Sequence, residues 1–428
     1  SKYITVNTQG NLFEGFDTKP KVTLNWNSTQ QLIPLFKSLG VDVETVDKGE
    51  EKDSLEAKVL GPQKDKTALI PIYLSYKEAV KVTSTYGQNF LDQINPVSGR
   101  IHTKFQVIGT DTDRISSGGK ESNGTKLINF LNIPSDAETR ECFEAEDGNR
   151  WISIDYIGQE TYLMASKAII KELTEGSGDI HSLTAYISYM DIPRDTPIKD
   201  IKKLYHNRRQ DAKGIEFAIN YGGDANTIHQ NTGLPLEQCK SIYNNYMSGF
   251  SGLASYQKFR RKDWWDKGYI LLNSKTGHKA YIYDYDTLVK EYKSFQEEGF
   301  WDYYRNLKKS DPKSYTIQKV KKFFKRKADS EKQSINYVIQ NAGALCSKVS
   351  IINFFKYLRE NNLLNKVKIC ILPYDEANVE APEEIAEEVA KKLYDCMVEA
   401  GAYFCTRCKL DAEISRLPDG SLPTYWIH

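Results

Sequence analysis

The sequence predicts an α+β fold of more than one lobe, with a mixed α/β lobe split by a helical insertion. Three observations carry this. Helical spacing of apolar residues dominates 25–91, returns over 201–267 and continues through 284–360, whereas 99–200 and 368–426 mix strands, loops and helices. At 428 residues the chain is too long for one simple core. With 40% hydrophobic and 27% charged residues it has the composition of an ordinary globular protein, not a disordered one.

In order along the chain, Asn27-Ser28 is a candidate cap for a helix bearing Leu32, Leu35, Phe36 and Leu39. A second helix is predicted over 69–91, with a polar joint at 40–52 between the two. Residues 99–134 are dense in Ser, Thr, Gly and Asn with Arg100, His102, Arg114 and Lys126 interspersed, which predicts extended, contact-making chain. Trp151-Ile152-Ser153-Ile154-Asp155 is a short strand ending on an aspartate, followed by a helix over 159–174. Helices are predicted at 201–221, 235–247 and 252–267. A hairpin over 268–283 turns at Thr276-Gly277. Residues 284–329 read as charged, aromatic helix and 334–360 as a long helix with an apolar side. Two strands over 368–379 flank the turn Pro373-Tyr374-Asp375-Glu376, then come a helix over 383–401 and a last strand towards Trp426.

Charge and cysteine content set limits on function. No apolar stretch approaches the roughly 20 residues that span a bilayer, and no signal-peptide core opens the chain, so a cytoplasmic protein with no membrane partner is the default. The net charge of +1 does not favour a polyanionic partner, yet a neutral chain can carry one basic cleft. The charges do cluster: 319–327 reads KVKKFFKRK, and acids crowd 376–388. Seven scattered cysteines argue against a disulfide framework. Cys405 and Cys408 lack a second ligand pair for zinc, with only His428 as a further candidate, and are read as two reduced thiols on a strand.

Two acidic clusters stand out, one at Asp155 with Glu160 and one at Asp375-Glu376. A carboxylate at the end of an apolar strand is costly unless paired or metal-bound. Two from distant parts of the chain suit a pair of divalent cations about 4 Å apart, as used in in-line phosphoryl displacement. Local turn bonding is the other open reading. Arg209, Lys213, Phe217 and Tyr221 recur every fourth residue, on one helix face. Two cations followed by two aromatics suit phosphates and then sugar and base. A basic edge beside two core aromatics is the alternative.

Together these residues resemble the polymerase region of family A DNA polymerases. Arg209-x3-Lys213-x3-Phe217-x3-Tyr221-Gly222 resembles that family's nucleotide-binding fingers helix, and other motifs stand around it in the family's order. Ser28, Gln31-Leu32, Tyr76-Lys77, Lys81 and Ser84-Thr85-Tyr86 resemble the thumb. Gly99-Arg100-Ile101-His102-Thr103, Gln106, Thr110-x-Thr112-x-Arg114-Ile115-Ser116-Ser117 and Asn132-Ile133-Pro134 resemble the segment that follows the primer–template duplex. Asp155-Tyr156 with Glu160 resembles the first metal motif, and Asp375-Glu376 with Val379 and Pro382 the second. Asp179-Ile180-His181-x2-Thr184-Ala185, Gly268-Tyr269 with Gly277-His278-Lys279, and Ile335-Asn336-x3-Gln340 complete the set, which spans about 22 to 426.

The resemblance implies a right-hand polymerase fold: an extension (1–21), a helical thumb (22–98), an antiparallel-sheet palm in two parts (99–200 and 334–428), and helical fingers (201–333) with an inserted helical segment at about 284–329. It implies two Mg²⁺ ions, with Mn²⁺ as substitute, on Asp155, Asp375 and the Tyr156 carbonyl, with Glu376 in support. Arg209, Lys213 and His181 would hold the triphosphate, and Lys213 would protonate the leaving pyrophosphate. Phe217 would meet the deoxyribose, Tyr221 the templating position, and Glu160 would exclude a ribose 2′-hydroxyl. Arg100, Thr110, Arg114, Asn336, Gln340 and Tyr374 would contact DNA. The implied partners are primer–template DNA, dNTPs and replication proteins.

Several positions depart from the family pattern. Where the family has Ser-Gln-Ile-Glu-Leu-Arg after Asp-Tyr, this chain has Ile157-Gly158-Gln159-Glu160-Thr161-Tyr162. Asp113 and Asn341 stand where glycine is usual, and Tyr374 where histidine is. A divergent, phage-like enzyme of altered fidelity is the expectation. The 284–329 insertion interleaves aromatics with cations, as a nucleic-acid surface or a solvated elaboration would. Only about twenty residues precede the thumb, so no proofreading lobe is expected in this chain, and Asp42-Val43-Glu44 is read as a loop. The rivals are a single-subunit RNA polymerase, disfavoured by Glu160 and Phe217, and an inactive accessory protein of the same fold.

Overall fold

A computed structural model of the protein describes residues 24–47, 50–122, 124–170 and 179–427. The expected extension over 1–21, the end of the helix predicted over 159–174, and His428 lie wholly or partly outside the described residues.

The chain divides into two compact units, Ser1–Asp92 with Trp301–Arg326, and Gln93–Phe300 with Lys327–His428. In the first, the helix Thr29–Ser38 buries Leu32 and Phe36. Ser28 precedes it but makes no side-chain cap bond; the Gln31 side chain instead takes the Asn25 N–H at 2.7 Å. The joint expected at 40–52 holds an antiparallel ladder, Glu44–Asp47 with Glu50–Asp53. The alternation of buried Val41 and Val43 is the period-2 signal that its polar composition masked. The helix predicted over 69–91 breaks after Leu69–Tyr86 and resumes at Gln88–Leu91. A Cβ on Gly87 would lie 2.3 Å from the Thr83 carbonyl oxygen, so the break accepts only glycine. Ile70 and Tyr73 join Leu32, Phe36, Val43 and Leu60 in this unit's core.

The second unit is built on a four-stranded antiparallel sheet in the order Lys368–Ile371, Glu376–Pro382, Asn149–Tyr156, Ala412–Ile414. The helix Glu383–Phe404 lays Ala386, Val389, Leu393 and Met397 into the core beneath it, where Ile152 and Ile154 are fully buried. The helix predicted over 201–221 is two, Ile198–Leu204 and His206–Asn220, divided at Tyr205 (φ −129°, ψ 44°). The hairpin expected over 268–283 is present as Tyr269–Asn273 with His278–Tyr281. The long helix is longer than the sequence implied, running from Tyr315 to Glu360. Trp426 is reached by a loop instead of a strand, its N–H bonded to the Phe143 carbonyl. Cys405 follows the helix Glu383–Phe404 and is not on a strand; its Sγ lies 3.1 Å from that of Cys408. Among the described residues no helix is long and apolar enough to cross a membrane.

Candidate active site

Sheet register brings the two acidic clusters together. Ile152 and Ile154 face the core, so Ser153 and Asp155 face the other side. In the antiparallel pairing Glu376 is directly opposite Asp155, and the Tyr156 N–H donates to the Asp375 carbonyl at 3.2 Å. Asp375 therefore ends up beside Asp155 at the mouth of the Pro373–Glu376 turn, where Tyr374 takes a left-handed φ of 51°. The Tyr156 side chain anchors the strand from below, donating to the Met397 carbonyl at 2.8 Å.

Asp155 is the electrostatically unsatisfied member of the pair. Burial, with the negative charges of Asp375 and Glu376, pushes the Asp155 carboxyl up to about 8. Asp155 Oδ1 is buried and accepts no hydrogen bond. An unpaired buried carboxylate oxygen beside a second carboxylate fits a hard divalent cation. Among the described residues no group of three or more His, Cys, Asp or Glu is placed to enclose a metal.

Glu376 has a different role from its neighbour. Its Oε1 accepts from Ser153 Oγ at 2.6 Å, Trp426 Nε1 at 2.6 Å and Asn378 Nδ2 at 3.1 Å, while Arg140 lies 3.4 Å from Oε2. The Arg140 guanidinium also stacks 4.3 Å over the Trp426 ring. The carboxylate is thus fixed in place across the strand from Asp155. Sequence reasoning missed Arg140, Ser153, Asn378 and Trp426, because their convergence depends on strand register.

The cavity in front of the pair is lined by Arg114, Gly158, Glu160, Phe217, Tyr374 and Asp375. Arg114 is ion-paired with Glu160 and stands 5.1 Å over the Tyr374 ring. Burial, with Asp375 nearby, raises Glu160 to about 7; burial lowers the Arg114 pKa from its ordinary value. Gly158 has φ 59° and starts the helix that carries Glu160, a conformation suited to glycine. Gln159 is turned into the packing, donating to Ser347 Oγ at 3.2 Å. A second, more open cavity shares Arg114 and Tyr374 and adds Thr110 and Gln340. Thr110 Oγ1 donates to the Arg114 carbonyl at 3.2 Å, and Asn336 Nδ2 to the Tyr221 carbonyl at 3.4 Å.

The His206–Asn220 helix presents its stripe as spaced. Lys213 and Phe217 are exposed, Arg209 is half-buried, and Tyr221 caps the C-terminus with its ring 6.0 Å from that of Phe217. Asp179, which caps the helix Ile180–Ser188, holds Arg209 by two bonds of 3.0 and 3.1 Å. His181 is turned to Glu216, its Nδ1 2.9 Å from Oε2, and Thr161 donates to the other oxygen at 2.6 Å. Glu216 is fully buried on the apolar side of its helix and ties three helices together. A lone carboxylate among Ala212, Ile215 and Ile219 was the available signal. Arg100 stands apart from the cavity residues, bound to Glu146 at 2.7 Å and Glu380 at 2.5 Å.

Known proteins resemble this chain. The family model for DNA polymerase family A matches residues 12–416. DNA polymerase I of Chloroflexus aurantiacus is 27% identical over 388 residues, covering 87% of this chain and 35% of that protein. The thermostable DNA polymerase I of Thermus aquaticus is 26% identical over 380 residues, with 87% and 39% covered. This chain thus spans less than two fifths of these relatives' length. Among solved structures, the POL domain of Pol1 from M. smegmatis, in complex with DNA primer-template and dNTP, has a TM-score of 0.69 at 20% identity, covering 92% of this chain and 60% of that one. With a family model matched over most of its length, the chain belongs to DNA polymerase family A.

Proposed function

We propose that the protein is a template-directed DNA polymerase that adds dNTPs to a primer 3′-hydroxyl. The observation that carries this is Asp155 beside Asp375, with an orphaned buried oxygen, at the edge of the cavity bearing Arg114, Glu160 and Phe217. Family membership supports it, as do the names of the relatives and the DNA primer-template and dNTP bound to the M. smegmatis domain. In this reading residues 22–98 are the thumb, 99–200 and 334–428 the palm, and 201–333 the fingers.

Asp155, Asp375 and the Tyr156 carbonyl would hold two Mg²⁺ ions, with Mn²⁺ as substitute. Such ions, when bound, acidify the primer hydroxyl and neutralise charge on the pyrophosphate. The protein's own work is mainly positioning. Arg209 and Lys213 bind the triphosphate, and Lys213 gives a proton to the departing pyrophosphate. Phe217 packs on the deoxyribose and Tyr221 borders the templating base. Arg114, Gln340 and Asn336 face the minor-groove side of the new pair, with Thr110 and Tyr374 beside the primer end. His181, expected from the resemblance to hold the triphosphate, is bonded to Glu216 and in this reading acts through it, orienting the fingers helix. Glu376, fixed across the strand, keeps negative potential at Asp155.

Primer extension with magnesium and dNTPs, run beside Asp155→Ala, tests the assignment. Extension by the parent alone supports it. No extension with primer–template still bound would instead make the protein an inactive accessory of the same fold. Glu160→Ala tests the sugar gate. Its carboxylate lines the cavity with Phe217, so its removal should cut the preference for dNTPs over rNTPs on the order of a hundredfold. Competing incorporation of the two sugars measures this, and unchanged selectivity would remove the gate from Glu160.

A further inference from the structure

Asp113 and Asn341, which stand where the sequence resemblance implies glycine, lie against each other. Asn341 Nδ2 donates to Asp113 Oδ2 at 2.7 Å and lies 3.4 Å from the Thr112 carbonyl. His278 Nδ1, on the fingers hairpin, is 2.9 Å from the same Asp113 oxygen. The Asp113 side chain is only 14% exposed, and Asn341 is buried. Asp113 holds φ at 59°, a left-handed backbone that aspartate tolerates better than most side chains. The next residue is Arg114. Its guanidinium is bracketed by Glu160 and by the ring of Tyr374, a third departure, whose hydroxyl reaches Asn132 Oδ1 at 3.3 Å.

We propose that Asp113, tied to Asn341 and His278, is a positioning site for Arg114 and through it a determinant of which primer-terminal pairs are extended. Glycine at both positions would remove the ties that Asn341 and His278 make to Asp113. The carboxylate instead joins three segments of the second unit: the loop carrying Arg114, the part of the long helix from Lys327 onward at Asn341, and the hairpin strand His278–Tyr281. A ligand group held by such supporting bonds keeps its orientation without help from substrate. Because both ties end on the carboxylate, removing that group frees the loop from the hairpin and leaves its hold on the helix to Tyr337–Asp111, Lys348–Val107 and the Asn341–Thr112 carbonyl contact. The inference rests on reading Arg114 as a contact to the terminal base pair.

The test compares extension of matched and mispaired primer termini. Asp113→Gly is the useful variant, since glycine accepts a positive φ and leaves the backbone unstrained. Asp113→Gly and Asn341→Ala should each lower the matched-over-mispaired ratio by about tenfold. The double variant should lose no more than the larger single loss, because the two residues share one bond. Asp113→Asn keeps an acceptor oxygen for Asn341 and should retain the parent ratio. Thermal midpoints serve as a control, since a merely structural role would lower them without moving the ratio. Arg114→Ala separates the two layers of the argument. If it lowers the ratio while Asp113→Gly does not, the positioning site is overturned and the Arg114 reading stands. If Arg114→Ala leaves the ratio unchanged, the Arg114 reading fails and the inference falls with it.

Discussion

Asp155→Asn is expected to abolish turnover and, at the same time, to make the metal-free protein more stable. The loss in rate should be about a thousandfold or more, because on the proposed assignment Asp155 is a ligand to both ions in a step that depends on charge neutralisation. Asp375→Asn should match it. The gain in stability follows from the raised carboxyl. In the folded chain burial and its acidic neighbours hold Asp155 at about 8, against an ordinary value of 3.8. Between those values the folded state keeps a proton that the unfolded state has released. The metal-free parent therefore loses stability as pH rises through that window, and the loss is complete above it. Asparagine carries no charge to bury, so the Asp155→Asn advantage in melting temperature should be small at pH 5 and large at pH 8.5. Melting in chelator at the two pH values, with single-turnover extension in magnesium, measures both effects. A near-normal rate, or an advantage that does not grow with pH, would contradict the assignment.

The second large effect is expected at Lys213. Arg209 is already clamped by Asp179 and oriented along the helix, whereas Lys213, one turn on, is exposed on the same face. Charge accumulates on the pyrophosphate only as the bond breaks, so a cation placed there favours the transition state over bound substrate. Lys213→Ala should lower kcat by about two to three orders of magnitude, with a smaller change in KM. Lys213→Arg keeps the positive charge but cannot give up its proton, and should fall between. A variant that raised KM alone would reduce Lys213 to a ground-state phosphate contact.

What the sequence disclosed and what it hid follow one physical division. Local patterns were legible. The apolar alternation before Asp155 gave the strand and its end, and the four-residue spacing gave the face shared by Arg209, Lys213 and Phe217. Register was not. Nothing near Glu376 in the sequence indicates that Trp426 and Arg140 will meet it, since those contacts exist only once the strands have paired. Two boundaries were obscured by composition: the ladder at Glu44–Asp53 is so rich in charge that it reads as a joint, and Tyr205 interrupts a helix without a glycine or proline to mark it. The Arg209–Asp179 pairing was hidden for a third reason. Both residues were recognised, but as parts of separate motifs, and only helix packing makes one the partner of the other.

The Trp426 contact has a consequence for the order of events during synthesis. The strand bearing Asp155 leaves the ribosome long before the strand that pairs with it, and the indole that closes over Glu376 comes later still. Until then a carboxylate destined for burial has one of its closest donors missing, and the sheet lacks its cover. Assembly of this sheet therefore waits until the segment that contains Trp426 has been made, and contacts this distant in sequence slow folding and lengthen exposure of apolar strands. A product cut short before Trp426 would leave Glu376 without that indole donor.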